Sequence, residues 1–171
     1  MKTSHLFYVP LLGTILSGCV GHMPQTADEF RTELPGAFLG EVEKFDVNRS
    51  YTDVGKSFQK MAPKCLDVRI KSTSQTNTSY QVIVTKWNPT VKITDNKAEL
   101  HIQQLHEQGV LNVYEAPEKG YYTMVVDAIP TGKNNSQVVM YRSSVGNDAL
   151  NKAIRGWASG KNIGCPDLTK G

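Results

Sequence analysis

The sequence predicts a single α+β domain over residues 37–171, an antiparallel sheet of about five or six strands with an N-terminal and a C-terminal helix. Three observations carry this prediction. Apolar residues recur at helical spacing from Tyr51 to Cys65, alternate with polar ones from Leu66 to Arg142 between turn-rich connections, and return to helical spacing from Leu150 to Ala158. The 171 residues are 39% apolar and 20% charged, enough for one core and unlike a disordered chain or a multi-span membrane protein. With 19 basic and 16 acidic residues the net charge is +3, too weak an excess for a nucleic-acid surface.

Taken in order, Phe38 to Val47 reads as a first strand, with Phe45 and Val47 on one face and Val42 opposite. Tyr51, Val54, Phe58, Met61, Ala62 and Cys65 then form one stripe of an amphipathic helix. Thr52 or Asp53 is its expected N-cap, and Pro63 is expected to end it near Met61 or Ala62. Leu66, Val68 and Ile70 alternate with charged residues as a second strand. Ser72–Thr78 is a polar connection to a third, marked by Tyr80, Val82 and Val84. Ala98, Leu100 and Ile102 alternate with Glu99, His101 and Gln103, a segment that reads as strand or helix. Two further strands, Tyr121–Ile129 and Gln137–Arg142, flank the turn-rich Pro130–Ser136, and Glu115–Gly120 reads as a charged turn ahead of them. Leu150, Ala153, Ile154, Trp157 and Ala158 share one face of the last helix, capped by Asn147 or Asp148 and ended by Gly160.

The first eighteen residues differ in composition from everything after them. Lys2 provides a positive start and Leu6 to Leu16 an apolar run of export-signal length, shorter than the roughly 20 residues a permanent span needs. Leu16-Ser17-Gly18-Cys19 resembles the lipobox of bacterial lipoproteins, and the resemblance covers this N-terminus alone. It implies cleavage between Gly18 and Cys19, a diacylglyceryl group on the Cys19 thiol, and acylation of the new amine, with palmitate as the expected chain. Several chains together hold a protein far more firmly than one. Val20, where Asp often retains such proteins at the inner membrane, implies the outer membrane, with its periplasmic face favoured over the cell surface. Residues 19–36, with Pro and Gly at both ends, read as a lipidated tether holding at most a helical turn from Ala27 to Leu34.

Lipidation of Cys19 leaves Cys65 and Cys165 of the three cysteines. An oxidising periplasm favours a disulfide between them. The alternative is a reactive or metal-binding thiol, which the missing C-x-x-C and the distant histidines argue against.

The chain offers little chemistry. Gly55-Lys56-Ser57 ends like a phosphate-binding loop, but Ser50 stands where its first Gly belongs and the fragment falls inside the predicted helix. His5 lies in the signal and His22 in the tether. His101 and His106, five apart, do not converge on one metal. No cofactor motif, metal set or catalytic motif stands out. Tyr121, Tyr122, Tyr141 and Trp157, with Tyr114, either line a ligand pocket between sheet and C-terminal helix or fill that space as core, and core is the preferred reading.

In element order alone the globular part resembles the helix-grip arrangement of some outer-membrane assembly lipoproteins and lipid-carrying pockets, a curved sheet around a C-terminal helix with the first helix at an edge or end. The expected function is a membrane-anchored, non-enzymatic binding or scaffolding module whose partners are envelope proteins or a small ligand. A lipid or small-ligand carrier is the first alternative. An envelope hydrolase built around His101 or His106 is the second.

Overall fold

The computed structural model describes residues 23–75, 80–108 and 117–169. The lipobox Leu16–Cys19, Val20, His5, His22, Thr76–Thr78, Tyr114 and the start of the Glu115–Gly120 turn lie outside the described residues. The described part is an α+β domain with elements α1 (Ala27–Glu33), a 3₁₀ turn (Leu34–Gly36), β1 (Gly40–Val47), α2 (Tyr51–Leu66), β2 (Arg69–Gln75), β3 (Tyr80–Ile93), β4 (Ala98–Gln108), β5 (Tyr121–Gly132), β6 (Asn135–Ser143) and α3 (Asp148–Ala158). The six strands form one antiparallel sheet in the order β1-β6-β5-β4-β3-β2. Five consecutive strands meander, and β1 closes on β6 at the far edge.

Strand alternation separates two faces. Val47, Trp87, Ala98, Leu100, Ile102, Met124, Val126, Val138 and Met140 point into one apolar core with Val54, Phe58 and Ala62 of α2 and Leu150, Ile154 and Trp157 of α3. The first long helix, expected at an edge or end, lies across β3, β4 and β5, with α3 beside it. Gly55 permits the close crossing, because a Cβ there would fall 2.7 Å from Ile93 Cδ1 and 2.8 Å from the Ala98 Cβ. Its role is packing, and Lys56 beside it is a solvated helix residue.

Several boundaries differ from expectation for local reasons. Ser50, rather than Thr52 or Asp53, caps α2: its Oγ accepts from the Asp53 N–H and donates to Asp53 Oδ2 at 2.7 Å, a reciprocal cap. The helix also continues through Pro63 to Leu66, since the apolar face resumes with the buried Cys65 and Leu66. β2 therefore starts at Arg69 and takes in Ser72–Gln75. β3 runs on past Thr85 to Ile93 and includes Pro89. The β2 ladder stops at the Arg69–Lys86 pair, so Pro89 meets a neighbour on one side only, where its missing N–H costs no ladder bond.

After α3 the chain reverses. Gly160 (φ 76°) donates to the Trp157 carbonyl at 3.0 Å and Lys161 to that of Gly156 at 2.8 Å, as in a Schellman ending. Arg49 donates to the carbonyls of Trp157 (3.1 Å) and Ala158 (2.9 Å), placing a cation at the negative end of the helix. The tail then folds back, where Trp157 Nε1 donates to the Gly164 carbonyl (3.1 Å) and Cys165 joins Cys65 across 100 residues of sequence, with Cα atoms 5.0 Å apart.

Candidate functional site

Among the described residues, the second face of the sheet is covered by the short helix α1 and the 3₁₀ turn that follows it, whose Leu34 packs on the same cluster. Residues 19–36 were expected to be a tether, yet packed structure begins at Thr26. The Thr26 side chain accepts from the Glu29 N–H at 3.1 Å, and Glu29 reaches back to accept from the Gln25 N–H at 2.7 Å. Ala27 and Phe30 are buried against Val125, Tyr122 and Tyr141, with the Phe30 and Tyr122 ring centroids 5.8 Å apart. Two apolar anchors and a cap dock a helix too short to persist by itself.

Its third attachment is ionic. Glu99 on β4 and Asp127 on β5 are direct cross-strand partners, an arrangement that like charges oppose. Arg31 resolves the conflict: Nε donates to Asp127 Oδ2 (2.8 Å), Nη2 to Asp127 Oδ1 (2.7 Å) and Glu99 Oε1 (2.5 Å), and Nη1 to Asp28 (2.6 Å). Lys97 reaches the same Glu99 oxygen at 2.5 Å. Burial disfavours the charge of Arg31, but the Asp127 hydrogen bonds and the surrounding carboxylates outweigh it and hold the guanidinium above its ordinary range. Burial likewise pushes the Glu99 carboxyl up, and the Lys97 hydrogen bond with the Arg31 and Lys97 charges brings it below its ordinary value.

Beside this cluster lies His101. Its Nε2 is buried, makes no hydrogen bond, and stands 3.7 Å from Glu99 Oε2. Burial lowers its pKa, outweighing the attraction of Glu99, so the ring stays neutral near pH 7. Tyr122 meets it edge-on with centroids 6.1 Å apart, and burial pushes the Tyr122 phenol up. Arg31, Lys92, Lys97, Glu99, His101 and Tyr122 line a cleft of about 470 Å³ together with the first turn of α1. Its mixed charges suit a polar ligand carrying both donors and acceptors.

The proposed aromatic pocket does not assemble. A bulge at Thr123 pairs Ile102 with Met124 but Gln103 with Tyr122, which turns Tyr122 to the α1 face while Met124 stays in the helix-side core. Tyr141 is on that α1 face as well, Trp157 is buried on the other, and Tyr121 belongs to neither cluster. Between sheet and α3 the space is filled by Leu150, Ile154 and Trp157. His106 is apart from His101 and bonds Thr85 Oγ1 through Nδ1 at 3.0 Å. No cluster of metal-ligating residues occurs among the described residues.

Sequence reasoning missed Arg31, Asp127 and Lys97 as a group. Glu99, His101 and Gln103 are the polar residues of an alternating segment, yet all three are buried. The available signal was Phe30-Arg31 within a supposed tether, an apolar anchor beside a cation that matches the Glu99 face. Compared with known proteins, the chain matches no protein-family model and no curated protein.

Proposed function

We propose that the protein is a lipoprotein of the cell envelope, anchored through Cys19 in the outer membrane on its periplasmic face, whose domain binds a partner without catalysing a reaction. The Leu16–Cys19 lipobox supports the anchor, and a Cys65–Cys165 disulfide fits an oxidising compartment. The observation that carries the binding role is the cleft beside α1, lined by charges of both signs around a bridged pair of carboxylates. A segment of an envelope protein with polar and charged side chains suits that lining better than an apolar ligand. The hydrolase alternative finds a polar cluster at His101, but neither lining hydroxyl supports it as a nucleophile, since Thr26 caps α1 and Tyr122 is a phenol held in its neutral form.

The test has two arms. Cys19→Ser in the full chain is expected to move the protein from membrane to soluble fractions, and retention in membranes would overturn the anchor. A photocrosslinker at Lys92, on the cleft rim, is expected to give a discrete adduct in intact envelopes, whereas one at Lys56 on the helical layer gives none. Equal labelling from both positions, or none from Lys92, would remove the cleft from the function.

A further inference from the structure

We infer that a second, non-covalent membrane contact is built into the fold: an uncharged tip, formed by residues 34–40 and 143–147, that enters the headgroup region of the bilayer. This rests on the proposed anchor at Cys19. Phe38 is 99% exposed, with Leu39 at 44% and Val145 at 55% beside it. The Ser144 N–H donates to the Leu39 carbonyl at 2.8 Å and fastens the two loops together. Neither loop, Leu34-Pro35-Gly36-Ala37-Phe38-Leu39-Gly40 or Ser143-Ser144-Val145-Gly146-Asn147, contains an ionisable side chain. Among the described residues of a chain that is one-fifth charged, the three most exposed large apolar side chains therefore lie in two loops without an ionisable group.

The backbone holds Phe38 outward. Ala37 donates to the Leu34 carbonyl at 3.0 Å and Gly40 to the Ala37 carbonyl at 2.9 Å, which winds the loop into consecutive tight turns. Gly40 is required there, since a Cβ would lie 1.7 Å from the Leu34 carbonyl oxygen. These turns fix the backbone that carries the Phe38 ring. Exposed apolar side chains in a fixed, uncharged cluster mark a contact surface.

Chain length selects the bilayer as occupant. Cys19 precedes Thr26 by seven residues, which span at most about 25 Å when extended. The seven-residue α1 then adds only about 10 Å before the tip loop begins. A lipid on Cys19 keeps Phe38 within reach of the same membrane, so tip insertion is effectively intramolecular and needs little affinity of its own. The two loops themselves carry no charge by which a protein partner would be selected.

The test uses the lipidated protein carrying Phe38→Trp, bound to vesicles of phosphatidylethanolamine and phosphatidylglycerol with brominated acyl chains. Trp87 and Trp157 are 4% and 1% exposed and supply a constant background, measured on the unsubstituted protein. The added emission is expected to shift to the blue and to be quenched by the bromines. Vesicle-bound protein whose added indole stays unshifted and unquenched overturns the tip contact and leaves the anchor standing. A blue shift that instead follows protein concentration without vesicles assigns the tip to self-association and also overturns it. An unmodified Cys19 thiol by mass spectrometry defeats the anchor and, with it, this inference.

Discussion

The two faces of the sheet are made by the same strands yet are held by different physics. On the helix-backed face Trp157, Phe58, Leu100, Ile102, Met124 and Met140 are fully buried in a continuous apolar cluster, closed at one end by Cys65–Cys165. On the other face one seven-residue helix contributes Ala27 and Phe30 to a small cluster, Leu34 of the following turn packs against it, and an ionic network around Arg31 adds to this cover. The helix-backed face holds most of the burial free energy. The α1 face is the one able to open while the rest persists, because its apolar contacts are few and water can replace its ion pairs.

Reduction or replacement of the disulfide is the strongest way to test the helix-backed side of this contrast. A crosslink closing 100 residues restricts the unfolded chain and typically contributes about 2 to 4 kcal/mol. Cys65→Ala with Cys165→Ala is expected to lower the urea midpoint of the whole domain and leave the exchange protection of α1 relative to the sheet unchanged. Selective loss of α1 would show that the staple serves the wrong face.

Arg31→Met tests the opposite side. Breaking a buried ion pair by removing one partner often costs about 3 to 5 kcal/mol, and both Asp127 and Glu99 are buried. Here the penalty has a ceiling, since α1 can undock and let water reach both carboxylates. Protection of amides 27–33 is expected to fall roughly tenfold to a hundredfold, equivalent to about 1.4 to 2.8 kcal/mol. The urea midpoint of the sheet is expected to move much less than on disulfide loss. A comparable global drop would mean that the two faces unfold as one unit.

This contrast also explains what was legible in the sequence. Tyr51 to Cys65 and Leu150 to Ala158 announce themselves because an apolar stripe at helical spacing needs only local order to be seen, and the alternation of Leu100 and Ile102 or Val138 and Met140 is equally local. The face beneath α1 depends on pairings across the chain. Arg31 meets Asp127 across 96 residues and Glu99 across 68, and neither separation leaves a periodic trace. The bulge that reverses Tyr122 is invisible for the same reason, since it is defined by the register of β4 on β5. Pro63 reads as a helix end, and its tolerance depends on what α2 buries beyond it, just as that of Pro89 depends on where β2 ends.

The smallest expected effect is also the most specific to the α1 face. His101 is packed among Glu99, Asp127, Arg31, Lys92 and Tyr122, and burial holds its pKa below the ordinary 6.5. Between that ordinary value and the lowered one the unfolded or undocked chain binds more protons than the closed one, so stability rises with pH in this window and declines on acidification. Glu99, also lowered, has the same sign but acts at lower pH, beneath its ordinary 4.5. Acid is therefore expected to loosen α1 in two stages, the upper from His101 and the lower from Glu99. His101→Gln should remove the upper stage and spare the lower, flattening below pH 6.5 the protection of amides 27–33 measured against their intrinsic exchange rates. If the Gln variant keeps the parent's slope in that range, the buried imidazole does not control how tightly this face is closed, and the two faces differ in packing alone.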